Sequence, residues 1–332
     1  MKLLILGGTS FLGRHLADLA LAAGHAVTLF NRGQTNPDLF PQAEHLTGDR
    51  DGNLNALRGR SWDAVIDTCG YVPRLVRDSA ELLKDAVEHY TFISTISVYA
   101  EPITPGSDES APVIALADPT VEAVTGETYG GLKVLCEQAV DAALPGRVLH
   151  VRSGLIVGPN DPTDRFTYWP VRVAMGGEIL APGKPEQPTQ FIDVRDLSAW
   201  TLRMTEARHA GLYNVTGPAE TMTLGALLQV CQQVSGSEMR VTWVDDDFLV
   251  QNDVAPFSEL PLWIPGAYNA LQMVNLSKVL ATGITYRPLA DTVADTLRWN
   301  ATRVPAEGDR PRAGMMQERE TTLLAAWKAR GA

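Results

Sequence analysis

Tyr129 and Lys133 stand four residues apart in the run TYGGLKVLCEQ, Thr128 to Gln138. On a helix, positions i and i+4 share one face, one turn apart. A phenol ordinarily titrates near about 10, so it is a poor acid or base at neutral pH. An ammonium beside it favours the phenolate and lowers that value. The pair can then deliver or remove a proton while a neighbouring carbon changes oxidation state. The same spacing also occurs on ordinary surface helices, so placement has to decide. The helix opens badly as well. Gly130 and Gly131 each cost a helix interior about 1 kcal/mol relative to alanine. Two glycines between the pair predict that another backbone comes close there, such as a partner helix at a dimer interface.

The elements that would position this pair are legible upstream. Short apolar runs at Lys2–Leu6, Ala26–Phe30, Glu44–Thr47, Ala64–Asp67, Tyr90–Ser94 and Val148–Arg152 read as strands. Helical spacing intervenes, at Phe11, Leu12, Leu16, Leu19 and Ala23, and again at Val76, Leu82 and Leu83. This alternation predicts an α/β fold, a doubly wound parallel sheet with helices on both faces. The turn-rich stretch from Pro102 to Thr125 reads as loop. After Gly158 the texture changes. A short helix around Tyr168–Met175, strands at Leu212–Val215 and Val241–Val244, and helices at Leu224–Val234, Leu289–Trp299 and Glu318–Lys328 predict a smaller α+β domain. The division falls near residue 160. Residues 1–160, with a return segment near 189–212, form the first domain, and 161–332 a substrate-binding one.

The first strand runs into GGTSFLG, Gly7 to Gly13, and then into a helix. A tight turn in that context lets backbone N–H groups and the positive helix end face a pyrophosphate. Gly7, Ser10, Phe11, Leu12 and Gly13 are therefore candidate dinucleotide-binding residues, with a plain tight turn as the alternative. The second strand ends in LFNRG. An acidic residue there would bind the adenosine ribose and select NAD. Asn31 and Arg32 stand in its place, and a guanidinium can pair with a 2′-phosphate, so NADP is favoured and NAD remains open. Arg14, at the helix start, could reinforce the phosphate site.

With these residues in view, the chain resembles the extended short-chain dehydrogenase/reductase family of NAD(P)-dependent epimerases, dehydratases and reductases. Gly7 and Gly13 match its GxxGxxG turn, with Ser10 in place of the middle glycine, as in atypical branches of the family. The resemblance extends through HVRSGLIVGPND, FIDVRDLSAW and GLYNVTGP to about residue 300, and implies a Rossmann-type fold. It implies that Tyr129 is the acid/base and that Lys133 is its activator and ribose anchor. It further implies that Thr95 in STISVYA is the donor to the substrate oxygen, with Ser97 as a nearby alternative. Asp49 is implied at the adenine, Arg50 beside it, and Cys69 in the cofactor-ribose loop. Two features tell against a nucleotide-sugar substrate. Leu155 stands where such enzymes carry an asparagine, and Thr189 and Gln190 where they carry an arginine, both for a diphosphate. Arg165, Tyr168, Trp169 and Arg195 could line a different pocket.

The bulk properties narrow the field. The 332 residues carry a net charge of −11, which disfavours a nucleic-acid surface. The densest basic stretch, 303–312, is interrupted by acids. Cys69, Cys136 and Cys231 are too scattered for a metal or disulfide pattern and read as reduced thiols in a cytoplasmic protein. No apolar run approaches the roughly 20 residues of a membrane span. Asp245, Asp246 and Asp247 read as a solvated turn rather than a metal site. The leading expectation is an enzyme moving hydride on a small carbonyl or hydroxyl substrate, with a possible homodimer. The alternative is a cofactor-binding regulator or RNA-associated relative without redox turnover, since some atypical branches, such as the chloroplast stem-loop-binding proteins, act on RNA.

Overall fold

The structure is a computed structural model that describes residues 1–303 and 311–330. Most of the basic stretch 303–312 lies outside the described residues. Along the chain the first elements are β1 (Lys2–Leu6), α1 (Phe11–Ala22), β2 (Ala26–Asn31), β3 (Glu44–Thr47) and β4 (Trp62–Asp67). They continue with α2 (Pro73–Leu83), β5 (Val87–Thr95), α3 (Tyr129–Ala143) and β6 (Val148–Ser153). Then come β7 (Leu155–Val157), α4 (Tyr168–Ala174), β8 (Gly177–Pro182), β9 (Pro188–Thr189), β10 (Phe191–Asp193), α5 (Val194–Glu206) and β11 (Gly211–Val215). The chain closes with β12 (Met222–Thr223), α6 (Leu224–Ser235), β13 (Met239–Val244), α7 (Asp246–Gln251), α8 (Ser277–Leu280), α9 (Leu289–Ala301) and α10 (Gln317–Arg330).

The chain divides into two compact units. One comprises 1–154, 194–216 and 274–285, the other 155–193, 217–273 and 286–332. The sequence places the division near 160 with one return near 189–212. The second return, at 274–285, has no signal in the sequence.

The first unit is built on a seven-stranded sheet in the order β11-β6-β5-β4-β1-β2-β3, every pair parallel. Its central strands β1, β4 and β5 are buried along most of their length because helices cover both faces. Leu4, Leu6, Val65, Tyr90 and Phe92 are buried with Val76, Ala80 and Leu83 of α2 and Cys136 and Val140 of α3. The strand order reverses between β1 and β4. In open parallel sheets that reversal opens a crevice at the carboxyl ends of the strands, where ligands bind.

The second unit pairs β8 with β13 in parallel, β7 with β10 in parallel, and β9 with β12 antiparallel. Its core gathers Phe166, Trp169, Val173, Leu227, Leu228, Phe248 and Trp263. Arg172 reaches the Glu320 carboxylate at 2.7 Å, both buried, which fastens α4 to α10. The three aspartates expected as a solvated turn start a helix instead. Asp245 caps α7, accepting from the Phe248 N–H at 2.8 Å, and Asp246 accepts from the Trp263 indole and the Gly266 N–H. Carboxylates are favoured there because they satisfy the orphan donors of a helix start.

Candidate active site

The glycine turn lies between β1 and α1 at the strand reversal. Gly7 and Gly8 both take positive φ, 108° and 94°. A Cβ on Gly7 would stand 2.5 Å from Thr68 Oγ1, and one on Gly13 would stand 2.7 Å from the Gly8 nitrogen. Only glycine allows this close approach of backbone to backbone. Ser10 is exposed and makes no side-chain cap, and Phe11 and Leu12 open α1. An uncapped helix start over a glycine cradle fits a dinucleotide pyrophosphate.

Asn31 acts on the turn itself. Its amide donates to the Gly7 carbonyl at 3.1 Å, and its oxygen accepts from the Gly33 N–H at 2.8 Å. Asn36 adds a second brace, donating to the Thr9 carbonyl at 2.9 Å. The sequence reading passed over Asn36. Its signal is local, an asparagine in a turn with φ of 45°, a conformation this residue type tolerates. Arg32 and Asp49 are exposed, and Asp49 accepts from the Asp51 N–H at 3.0 Å.

Arg50, expected beside the cofactor, has other partners. It is buried and pairs with Asp67 through two hydrogen bonds of 2.7 and 2.8 Å, and donates to Ser79 Oγ at 2.6 Å. A buried guanidinium needs such a bidentate carboxylate. Burial alone would push the Asp67 carboxyl up, but Arg50 and the Tyr90 hydroxyl hold it below the usual range. Burial, together with the Asp67 charge, pushes the Tyr90 phenol well up. Cys69 is half-buried, its thiol pushed up by burial, and Arg50 donates to its sulfur at 3.7 Å.

The ends of β4 and β5 and the start of α3 converge on Lys133. Its side chain is buried, and Nζ donates to the Gly70 and Ile93 carbonyls, each at 2.6 Å. Burial lowers its pKa to about 8. Tyr129 is half-buried at the first position of the same helix. Thr95 ends β5 and caps the short turn that follows, accepting from the Ser97 N–H at 3.1 Å and donating to Ser97 Oγ at 3.2 Å. The two hydroxyls that the sequence left as alternatives are thus one hydrogen-bonded pair.

The space left by the two glycines is filled by this chain itself. A Cβ on Gly130 would stand 2.1 Å from the Ser97 carbonyl oxygen, and one on Gly131 would stand 2.4 Å from Leu116 Cγ. The close neighbour is the turn that carries Ser97, not a partner helix. Two buried contacts hold the surroundings. Arg152 forks onto Glu137 of α3 at 3.0 and 2.7 Å, and Tyr99 donates to Asn214 of β11 at 2.5 Å.

In the second unit, Trp169 is a core residue that donates to the Pro261 carbonyl at 2.8 Å, which corrects its expected place in a pocket lining. Arg165 donates to Thr163 Oγ1 at 3.1 Å, and Tyr168 packs edge-on against Trp169. Arg195 belongs to the first unit. Among the described residues, no group of three or more His, Cys, Asp or Glu is placed to hold a metal ion, and no helix is long and apolar enough to cross a membrane.

Similarity to known proteins agrees with this geometry. The chain is 27% identical over 247 residues to the bovine Epimerase family protein SDR39U1, covering 67% of this chain and 76% of that protein. It is 27% identical over 259 residues to the Chloroplast stem-loop binding protein of 41 kDa b of Arabidopsis thaliana, covering 71% of this chain and 63% of that protein. The Thermus thermophilus UDP-glucose 4-epimerase, solved with NAD, shares the fold at a TM-score of 0.66 and 18% identity, over 92% of this chain and 100% of that one. The UDP-glucuronic acid 4-epimerase from Bacillus cereus, also solved with NAD, does so at 0.66 and 16%, over 90% and 98%. Identities this low speak to fold alone. A sequence model, by contrast, matches residues 3–216, from the first strand through the glycine turn and the Tyr129 helix to the last strand of the sheet, and by that match the chain belongs to the NAD dependent epimerase/dehydratase family.

Proposed function

We propose that the protein is an NAD(P)-dependent oxidoreductase of the epimerase type, acting on a small carbonyl or hydroxyl compound that is not a nucleotide sugar. The observation that carries this reading is the buried Lys133 ammonium, one turn from Tyr129, fixed by carbonyls at the ends of β4 and β5. When bound, the dinucleotide supplies the hydride donor or acceptor. Gly7, Gly13 and the start of α1 would hold its pyrophosphate, and Asp49 would contact the adenine. Arg32 pairs with a 2′-phosphate, which favours NADP over NAD. Tyr129 moves a proton at the substrate oxygen. Lys133 keeps a positive charge beside the phenol and lowers the cost of the phenolate. Thr95, linked to Ser97, hydrogen-bonds the same oxygen.

The exclusion of nucleotide sugars is supported by Leu155 and Thr189. Leu155 offers no polar group to a diphosphate, and Thr189 is buried with its hydroxyl donated to Gln272 at 2.7 Å. The test is Tyr129→Phe, assayed on a carbonyl substrate found by screening at the reduced-nicotinamide absorbance band. Loss of acid/base catalysis should lower turnover by about 10²- to 10⁴-fold. Full turnover in the variant would remove Tyr129 from the reaction.

The Arabidopsis relative supports a second reading, a cofactor-binding protein that associates with RNA without redox turnover. The intact Tyr129, Lys133 and Thr95 set weighs against it. Nicotinamide binding with no turnover across a broad carbonyl panel would favour it.

A further inference from the structure

Tyr71 directly follows the carbonyl that holds Lys133. It is a large aromatic side chain left 48% exposed. Its ring centroid lies 6.4 Å from that of Tyr129, and the Lys133 ammonium lies 5.4 Å from the Tyr71 centroid. On another side the ammonium stands 4.1 Å over the Phe92 ring. Both distances fall within the roughly 6 Å over which a ring face attracts a cation. Gly70 permits the arrangement, since a Cβ there would come within 2.5 Å of the Phe92 ring.

The ammonium has three protons, and two go to the Gly70 and Ile93 carbonyls. Without further support, a lysine this deeply buried would tend to lose its charge. The charged and titratable groups around it act in both directions. Asp67 and Glu137 favour the charged form and Arg50 opposes it, while the Cys136 thiol, pushed up to about 12 by burial, brings no charge. Cys69 lies near as well. Phe92 is fully buried and holds the core. Tyr71 is the ring with a surface position and a second contact, to Tyr129.

We propose that Tyr71 is a positioning residue for the Tyr129–Lys133 pair, its ring face closing with Phe92 an aromatic cage that keeps the Lys133 ammonium charged and directed at the phenol. This rests on Lys133 being the activator of Tyr129. The ring face matters here, not the Tyr71 hydroxyl, and the two are separable.

The experiment follows the Lys133 titration by ¹³C NMR in lysine-labelled protein, without cofactor or substrate, the signal being identified by its loss in Lys133→Arg. Tyr71→Leu should lower the midpoint by about half a unit or more, because the charged form loses a ring face. Tyr71→Phe, which keeps the ring, should leave it at the wild-type value. An unmoved or raised midpoint in Tyr71→Leu overturns the proposal, as does an equal fall in both variants. Since no turnover enters the measurement, its failure is distinct from failure of the Tyr129→Phe test.

Discussion

Asn31 and Arg32 are neighbours at the end of β2 with separate duties, and substitutions should separate them. Asn31 is tied to the glycine turn by the hydrogen bond it donates to the Gly7 carbonyl, and to its own loop by the one it accepts from the Gly33 N–H, so Asn31→Ala should weaken NADPH and NADH about equally, by roughly fivefold for the about 1 kcal/mol of the bond to the turn. Arg32 is exposed and, under the proposed NADP preference, would act through charge, so Arg32→Asp should reverse the preference between the two. Fluorescence titration with both nucleotides reads this directly, and an unchanged ratio of dissociation constants would free Arg32 of any role in selection. Lys133 carries a signature in pH. Its pKa falls from an ordinary 10.5 to about 8 on folding. Between those values the unfolded chain binds more protons than the folded one, so stability rises with pH across that window. Below it both states are protonated and this contribution is flat. Urea unfolding through the window should show the rise in the wild type, and Lys133→Met should abolish it. At this scale the sequence told residue types well and directions poorly. Spacing and resemblance singled out Tyr129, Lys133 and Thr95 as candidates. Arg50 was misplaced because its carboxylate partner, Asp67, is 17 positions away and only the sheet brings them together.

The helix α3 shows how packing overrides local preference. By propensity, alanine at either of its glycines should gain about 1 kcal/mol. Position 130 faces a backbone carbonyl that cannot move aside, whereas position 131 faces only side chains, those of Leu116 and Ile114. Gly130→Ala should therefore destabilise the protein by about 1–3 kcal/mol, the range for overpacking a filled site, and Gly131→Ala by clearly less. Denaturant unfolding of both variants checks the order, and equal costs would mean that the turn carrying Ser97 yields as easily as Leu116. The long elements were readable because their periodicity persists. β1 through β6 and α6, α9 and α10 appear within a few residues of their expected ends. The pieces that escaped notice are β7, β8, β9 and β12, mostly two or three residues long, too short for a period to emerge. α7 was hidden by its own caps, since consecutive aspartates suit a solvated turn and a helix start alike.

At the scale of the molecule, net charge decides what the surface attracts. With −11 spread over the chain, the phosphate contacts that dominate RNA affinity are disfavoured. Filter binding should find no salt-sensitive RNA association at physiological ionic strength, and a steep salt dependence would favour the stem-loop relative as the guide to function. Self-association rests on family resemblance alone now that Ser97 and Leu116 occupy the space beside the glycines, and sedimentation velocity reads it directly. The threading of the chain has a further consequence, for the order of synthesis. β6, buried along its whole length, pairs on one side with β5 and on the other with β11, whose residues Gly211–Val215 emerge from the ribosome some sixty positions later. α5, which packs on α1, is equally late. While 155–193 are being made, the nascent chain carries a nearly finished sheet with one unpaired edge, β6, whose bare backbone N–H and C=O groups are the kind of surface that pairs with other chains. A fragment ending at 154 should be recovered mostly from the insoluble fraction, and the need for a chaperone should fall once translation passes 216.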